Sequence, residues 1–326
     1  AEGSAPRRGL ATHHVGCGEL DTEEVVVGRY DVVSVWGSQG DGAGELQSPL
    51  GVAVDTQGFV YIADTSNHRI MKFTAAGESL DSWGHFSPSD HDEWDAGFDT
   101  PIGIAVDHLD NVYIADCRNA RIQHWSSDGV FVRSWRRVGK HRDPLSPPAG
   151  VAVDPSGNVY VSDGGNGLIQ VFDGDTLRCQ AIWGGWSDSP ADGRFRKRVG
   201  FRGIAVDADG TVYATDPGNH RVQKFTRTGR FVGAWGALGD QPGQFRTPLG
   251  VAVDSDGHVY VVDSLNNRVQ KFSSDGGFLT EWGRLGTAPG EFHDPVGIAV
   301  AENGRVYVTD ASNHRVQAFA SAPAPG

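Results

Sequence analysis

Hydrophobic positions along the chain come in short runs of four to seven residues, bounded by glycine, aspartate, asparagine and serine. Valine, isoleucine, tyrosine and phenylalanine dominate these runs, which is typical of short antiparallel strands. No run approaches the ~18 consecutive apolar residues of a membrane-spanning helix. The pattern predicts a soluble all-β protein without a membrane span.

The runs recur as one repeated unit of four. The first run begins with Gly-(Val/Ile)-Ala-Val in six copies, at Gly51, Gly103, Gly150, Gly203, Gly250 and Gly297. The second run ends in aspartate, the third in an aromatic residue, and the fourth ends in tryptophan in the first five copies. Four short antiparallel strands make one propeller blade, so six copies predict a six-bladed β-propeller.

The two ends of the repeat region are predicted to share one blade. The sixth copy stops after Phe319 without a fourth run, while a run that ends at Trp36 precedes the first copy. We expect strand 31–36 to complete the last blade and close the ring, because this pairing removes exposed sheet edges. Residues 30–319 are then a single propeller domain, with 1–29 and 320–326 as flexible segments.

The third run begins near a recurring tripeptide. It reads Asn67-His68-Arg69, Asn219-His220-Arg221 and Asn313-His314-Arg315, with looser copies at Asn119-Ala120-Arg121 and Asn266-Asn267-Arg268. Over residues 31–319 the chain resembles the NHL family. The resemblance implies a propeller with a polar top face built from loops. It does not imply one chemistry, because that family includes protein-binding, RNA-binding and enzymatic members.

Charge and cysteine content narrow the possible partners. With 28 Lys and Arg against 41 Asp and Glu, the formal net charge is -13, which disfavours nucleic acid unless one face is locally basic. Cys17, Cys117 and Cys179 show neither a disulfide framework nor zinc-site spacing. The chain begins at Ala1 without an apolar signal segment, which is compatible with export after signal removal. We expect a monomer.

Most polar repeated residues have a structural interpretation. The aspartate that ends the first run is followed by a Gly turn in four copies, as in an Asx-closed hairpin. The aspartate that ends the second run is predicted to pair with the arginine of the tripeptide, except in blade 3, which lacks that arginine. The tripeptide histidines recur around the ring, too far apart to share a zinc at ~2.1 Å. The sequence predicts no metal site and no cofactor.

Loop lengths separate two connections from the rest. From the strand-four Trp to the next Gly the distance is 15 residues in four connections and 20 in two, 83 to 103 and 183 to 203. Trp94 and Trp186 lie in these long loops and are the tryptophans that the repeat does not explain. One loop is acidic around Asp99 and the other basic around Arg198, so they could pair as a lid or bind a zwitterionic ligand.

The sharpest difference in residue type is Arg202, which replaces an apolar residue at the start of an inner strand. A guanidinium at this position suits a carboxylate, phosphate or sulfate. The predicted ligand-binding residues are Arg202, Arg198, Trp94, Trp186, Asp99, Arg118 and Asp294, and the candidate catalytic residues are Arg202 and His293.

Three functions remain open from the sequence. The first is a binding module that holds a small anionic or peptide-like ligand, or a protein partner, in a top-face pocket at the central channel. The second is a metal-independent lyase or isomerase at the same channel mouth. Amidating lyases have similar repeats but place metal-binding histidines at the starts of inner strands, where this chain has Leu50, Ile102, Ala149, Arg202, Leu249 and Val296. The third is RNA binding.

Overall fold

The computed structural model describes residues 29–88, 96–136, 145–196 and 203–322. Over these ranges the chain forms six four-stranded antiparallel sheets, of which the first five are simple meanders. Helical structure in them is limited to short 3₁₀ turns, and no helix there is long and apolar enough to cross a membrane. The predicted six-bladed propeller is confirmed.

The strands of the first three blades follow an orphan strand, β1 (Tyr30–Trp36). Blade 1 contains β2 (Val52–Val54), β3 (Val60–Asp64), β4 (Arg69–Phe73) and β5 (Ser79–Trp83). Blade 2 contains β6 (Pro101–Val106), β7 (Val112–Asp116), β8 (Arg121–Trp125) and β9 (Phe131–Trp135). Blade 3 contains β10 (Pro148–Val153), β11 (Asn158–Asp163), β12 (Leu168–Asp173) and β13 (Cys179–Gly184).

A two-stranded parallel element, β14 (Trp186–Ser187) and β15 (Phe195–Arg196), lies in the connection to blade 4. Blade 4 contains β16 (Ile204–Val206), β17 (Val212–Asp216), β18 (Arg221–Phe225) and β19 (Phe231–Trp235). Blade 5 contains β20 (Pro248–Val253), β21 (Val259–Asp263), β22 (Arg268–Phe272) and β23 (Phe278–Trp282). Blade 6 contains β24 (Pro295–Val300), β25 (Val306–Asp310) and β26 (Arg315–Ser321).

The N-terminal strand closes the ring, as predicted. β1 pairs antiparallel with β26, with Val32 opposite Phe319 and Trp36 opposite Val316, so blade 6 is built from both ends of the repeat region. Tyr30 also stacks on Trp282 of blade 5, with ring centroids 4.1 Å apart. Strand pairing and aromatic packing together hold the closure. The predicted flexible segments lie outside the described residues, apart from Arg29 and residues 320–322.

The hydrophobic core is distributed between neighbouring blades, because each sheet buries both faces. Between blades 4 and 5, for example, Tyr213 and Val222 pack against Val259, Val261 and Phe272. On the lower face, the aspartate after each of the first five inner strands closes the turn as predicted. In blade 1, Asp55 accepts bonds from the Gln57 and Phe59 amides and the Tyr61 hydroxyl.

The inner strands leave little space at the centre. A Cβ on Gly51 would lie 2.1 Å from the carbonyl oxygen of Ile102, so the repeated glycine allows adjacent blades to approach. The central cavity of about 60 Å³ is lined by the six repeat glycines and the valine or isoleucine that follows each of them. The centre is therefore apolar, and polar chemistry has to lie on the loops.

Candidate functional site on the top face of blade 4

The aspartate that ends the second strand organises the top of each blade. Asp64, Asp116, Asp163, Asp216, Asp263 and Asp310 are all fully buried. In blade 5, Asp263 accepts bonds from Arg268 Nε (2.8 Å), Asn266 Nδ2 (2.8 Å) and the Arg246 amide (2.6 Å). Burial raises the pKa of Asp263 despite these donors. The site is thus held by hydrogen bonds whose loss would leave a buried charge uncompensated.

The predicted Asp–Arg pair is present in five blades and absent from blade 3. Its Nε–carboxylate distances run from 2.7 to 3.0 Å. In blade 3, Leu168 takes the arginine position, and Asn166 and Gln170 donate to Asp163 instead. We call the aspartate, the asparagine and the arginine of a blade its hub.

The tripeptide histidines connect neighbouring blades. Nδ1 of His220 accepts a hydrogen bond from the Thr247 amide of blade 5 at 3.1 Å, and His68 and His314 do the same for their next blades. In blade 5 the equivalent group is the side-chain oxygen of Asn267. Because Nδ1 accepts, the neutral ring carries its proton on Nε2. These contacts support the structural interpretation of the histidines.

In blades 1, 5 and 6, the short preceding loop closes over the hub. In blade 5, Asn266 Nδ2 donates to the Gly239 carbonyl at 2.9 Å, and Arg268 Nη1 donates to the Asp240 carbonyl at 2.7 Å. The Glu281 carboxylate also accepts from Nη1 at 2.9 Å. Blades 1 and 6 repeat the carbonyl contacts through Gly40 and Asp41 and through Gly286 and Thr287.

Blade 4 differs because its preceding loop is longer. Trp183 and Phe195 are 12 positions apart, whereas Trp235 and Phe245 are 10 apart. Arg221 Nη2 still reaches two loop carbonyls, but Nη1 has no acceptor among the described residues. Asn219 Nδ2 donates only to Asp216, and Asn219 Oδ1 is buried without a partner there. Arg221 Nη1 therefore faces an open space instead of a loop.

That space is a groove of about 690 Å³ at the outer edge of the top face. Its floor is the Asn-His-Arg tripeptide, one wall is β19, and the other is the long loop. The lining residues are Pro190, Asp192, Arg196, Asn219, His220, Arg221, Phe231, Gly233, Ala234, Trp235, Gly236, Ala237 and Leu238. Ala234 stands where blade 5 has Glu281, since Gln223 and Gln270 occupy equivalent register positions. The small side chain keeps the groove open.

The top of blade 4 is locally cationic. Burial and the nearby guanidinium groups of Arg196 and Arg246 lower the pKa of His220. Arg196 is exposed and donates from Nη1 to the Gly218 carbonyl at 3.2 Å, and Arg194 donates to the Gly184 carbonyl. We call Arg194, Arg196 and Arg246 the cationic sector. The His220 imidazole is therefore neutral, and the positive charge that can attract an anion here comes from the guanidinium groups.

The structure separates the sequence-predicted site residues. Trp94, Arg198 and Arg202 lie outside the described residues. Asp99 and Arg118 meet on blade 2, where the Arg118 amide donates to the Asp99 carbonyl at 3.0 Å. His293 and Asp294 meet on blade 6, with His293 Nε2 3.9 Å from the Asp294 carboxylate. Neither pair lines the blade 4 groove.

Trp186 belongs to the repeat pattern after all. It pairs with Phe195 as Phe86, Leu238 and Leu285 pair with the buried aromatic residues of their own loops. Its ring lies against Gly167, where a Cβ would be 2.7 Å from Cδ2. Blades 1, 4 and 6 have a histidine at the Gly167 position, so the glycine makes room for the larger ring. A ligand role for Trp186 stays a prediction.

The groove residues were missed because they match the repeat. The available signal was the 12-residue spacing from Trp183 to Phe195, against 10 residues from Trp235 to Phe245. Among the described residues, the tripeptide histidines form no metal-like cluster. The one such group there is Asp254, Asp256 and His258, in a lower-face turn, and Asp254 is already engaged by Tyr260 and His258.

Comparison with known proteins identifies the repeat. The NHL repeat model matches residues 46–73, 98–125, 145–172, 202–225, 245–272 and 292–319. The chain belongs to the NHL repeat family. NHL propellers are a common protein-interaction module.

The chain matches only short parts of its curated relatives, which are much longer proteins. The E3 ubiquitin-protein ligase TRIM71 of Mus musculus is 52% identical over 42 residues, 13% of this chain and 5% of the ligase. The peptidylglycine alpha-amidating monooxygenase of Rattus norvegicus is 28% identical over 188 residues, 55% of this chain and 18% of that protein. The chain thus spans less than a fifth of either relative.

Solved structures share the fold at low sequence identity. A protein of unknown function from Bacteroides thetaiotaomicron has a TM-score of 0.69 at 18% identity, over 90% of this chain and 76% of its own. A gluconolactonase from Xanthomonas campestris has a TM-score of 0.62 at 16% identity, over 85% and 87%. A virginiamycin B lyase from Staphylococcus aureus has a TM-score of 0.57 at 12%, over 87% and 82%.

Proposed function

We propose that this NHL propeller is a binding module that holds an acidic, peptide-like ligand or partner segment on the top face of blades 4 and 5. The observation that carries the proposal is the cationic sector, Arg194, Arg196 and Arg246, beside the blade 4 groove. It stands out in a chain of net charge -13. Clustered guanidinium groups at a concave site favour carboxylates and steer their approach.

The central cavity offers no proton-transfer group among the described residues. Its described lining is glycine, valine and isoleucine, none of which can transfer a proton. The gluconolactonase and lyase neighbours share the fold alone with this chain. A metal-independent reaction at the channel mouth, with Arg202 and His293 as candidate catalytic residues, stays a prediction.

Charge reversal in the cationic sector tests the proposal. The probe is a fluorescein-labelled decapeptide of alternating Glu and Ala, and its binding is followed by fluorescence anisotropy at low and physiological salt. We expect R196E/R246E to weaken binding at least tenfold, and salt to weaken wild-type binding, since the attraction is partly screened at the surface. Arg230→Glu is the matched control, because Arg230 is exposed in a lower-face turn of the same blade.

Two outcomes would overturn the proposal. One is equal binding by wild type and R196E/R246E while both keep the same melting temperature. The other is preference for a single-stranded RNA decamer over the acidic peptide, lost in the same double variant, which would make the sector an RNA-binding surface.

A further inference from the structure

We propose that the blade 4 groove binds a carboxylate that lies next to an amide N–H, as at the C-terminal residue of a peptide or in an N-acylated amino acid. Arg221 and Asn219 hold this group. The inference rests on the proposed function and specifies its ligand. It comes from the hydrogen bonds that blade 4 lacks relative to the other copies of the repeat.

The equivalent blades show that an oxygen belongs beside Arg221 Nη1. In blades 1, 5 and 6 the Nη1 groups of Arg69, Arg268 and Arg315 each donate to a loop carbonyl. In blade 5 the Glu281 carboxylate occupies a second acceptor position at 2.9 Å. Blade 4 provides neither, because its loop follows another path and Ala234 replaces the glutamate. The vacant position is therefore one that a carboxylate already fills in the same molecule.

A charged acceptor fits this position better than a neutral one. Arg221 is only 9% exposed, so its Nη1 has limited access to water, and hydrogen bonds between guanidinium and carboxylate are about twice as strong as neutral ones. Asp216 already occupies Nε at 3.0 Å and leaves Nη1 free. Arg196 lines the same groove and adds positive charge.

Asn219 explains why an amide should lie next to the carboxylate. Its Nδ2 keeps one N–H free for the carboxylate, while Oδ1 is buried without a partner, so a ligand N–H reaches it only after a small displacement of the side chains that cover it. Leaving such an acceptor without a partner costs about 1–3 kcal/mol. The exposed Asp192 on the rim is a further acceptor and disfavours dianions such as phosphate. A carboxylate with an adjacent N–H satisfies both ends of Asn219.

The groove also accepts an apolar side chain. Phe231, Trp235 and Leu238 line it, and Leu238 is 62% exposed. A volume of about 690 Å³ lies within the ~300–1,000 Å³ of ordinary ligand sites. We therefore expect a leucine-like residue to carry the carboxylate.

The experiment measures binding by isothermal titration calorimetry with the 326-residue chain. The probes are N-acetyl-L-leucine, the peptide acetyl-Ala-Ala-Ala-Leu with a free carboxylate, and the same peptide as its C-terminal amide. The test variant is Ala234→Glu, which supplies an internal carboxylate to Arg221 as Glu281 does in blade 5. The matched control is Ser82→Glu, at the equivalent exposed position of blade 1, where Arg69 Nη1 already has its acceptor.

We expect both carboxylate probes to bind wild type and S82E with equal affinity, and to bind A234E at least tenfold more weakly. The C-terminal amide should bind wild type at least tenfold more weakly than the peptide with a free carboxylate does. Tighter binding of the peptide than of N-acetyl-L-leucine would identify a peptide C-terminus as the ligand. Equal binding would restrict recognition to the terminal residue.

Two results would overturn the inference: the amide binding as well as the acid, or A234E binding as wild type does. Failure of both carboxylate probes, while R196E/R246E still abolishes binding of the acidic decapeptide, would overturn the inference and leave the proposed function standing. If the carboxylate probes bind as expected but R196E/R246E binds the acidic decapeptide as tightly as wild type does, the proposed function would be overturned.

Discussion

Blades 4 and 5 have bodies of the same length, 32 residues from the inner-strand Gly to the outer Trp, yet their top edges differ. In blade 5 the ten-residue loop closes on Arg268 and Asn266, and Glu281 covers the remaining donor. In blade 4 two more loop residues and Ala234 leave the same donors open. The proposed binding site of blade 4 thus results from missing loop and side-chain contacts, while the hub residues are the same in both blades.

The largest expected effect comes from removing the hub arginine of blade 5 or blade 4. Arg268→Ala should lower the free energy of unfolding by about 3–5 kcal/mol, because it leaves Asp263 buried without its counter-charge. Arg221→Ala should cost about 1–2 kcal/mol less, since Arg221 lacks two of the hydrogen bonds that Arg268 makes. Urea denaturation measures both, with Arg230→Ala as the exposed control. An equal loss would contradict the open hub of blade 4.

Blade 2 sharpens the comparison, because His124 replaces the lysine that blades 4 and 5 share at this position, Lys224 and Lys271. His124 is 7% exposed and stacks on Tyr113, and burial, followed by Arg133, lowers its pKa to about 4. Asp107 and Asp175 act in the opposite direction.

The folded pKa of His124 lies below the unfolded value of about 6.5, so the unfolded state binds more protons in this window. Stability should therefore fall as pH drops from about 6.5 to 4, by up to ~3 kcal/mol from this residue. Substitution His124→Phe keeps the aromatic stack and should flatten the decline. Urea midpoints measured at several pH values check this, and a decline as steep in H124F as in wild type would exclude His124 as its source.

A smaller effect distinguishes the contacts between blades. His220 in blade 4 and Asn267 in blade 5 each accept a hydrogen bond from a backbone amide of the next blade, but only the histidine titrates. Because the pKa of His220 is lowered, its protonation below about pH 6.5 destabilises the fold. His220→Asn should retain stability at pH 7.5 and lose less than wild type at pH 5. Thermal melts at the two pH values test this, and an unchanged difference would argue against the Nδ1 contact.

The smallest expected effects concern the glutamate itself. Glu281→Ala should cost about 0.5 kcal/mol, since the Glu281 side chain is 35% exposed and Arg268 keeps its loop carbonyl. Ala234→Glu should gain a similar amount, because Arg221 then acquires an acceptor. Melting temperatures of the two variants are compared with wild type. A loss of stability in A234E would mean that the groove does not admit a carboxylate at this position.

The fold was predictable because the same pattern of short strands recurs in six copies, and the strand that ends at Trp36 completes the last copy. The candidate site was not predictable, because Asn219 and Arg221 belong to the recurring tripeptide, whose residues have a structural interpretation in the other copies. The residues predicted from unusual residue types, such as Arg202 and Trp186, stay predictions. The blade 4 groove depends on the path of a loop and on the small side chain of Ala234, and the hydrogen-bond partners that reveal it are visible only in three dimensions.

The most direct test of the proposed site is a crystal structure of the protein with N-acetyl-L-leucine. We expect the ligand carboxylate about 3 Å from Arg221 Nη1 and Asn219 Nδ2, with the ligand amide N–H donating to Asn219 Oδ1. A loop closed on Arg221 as the blade 5 loop is closed on Arg268, or the ligand bound at another place, would contradict it.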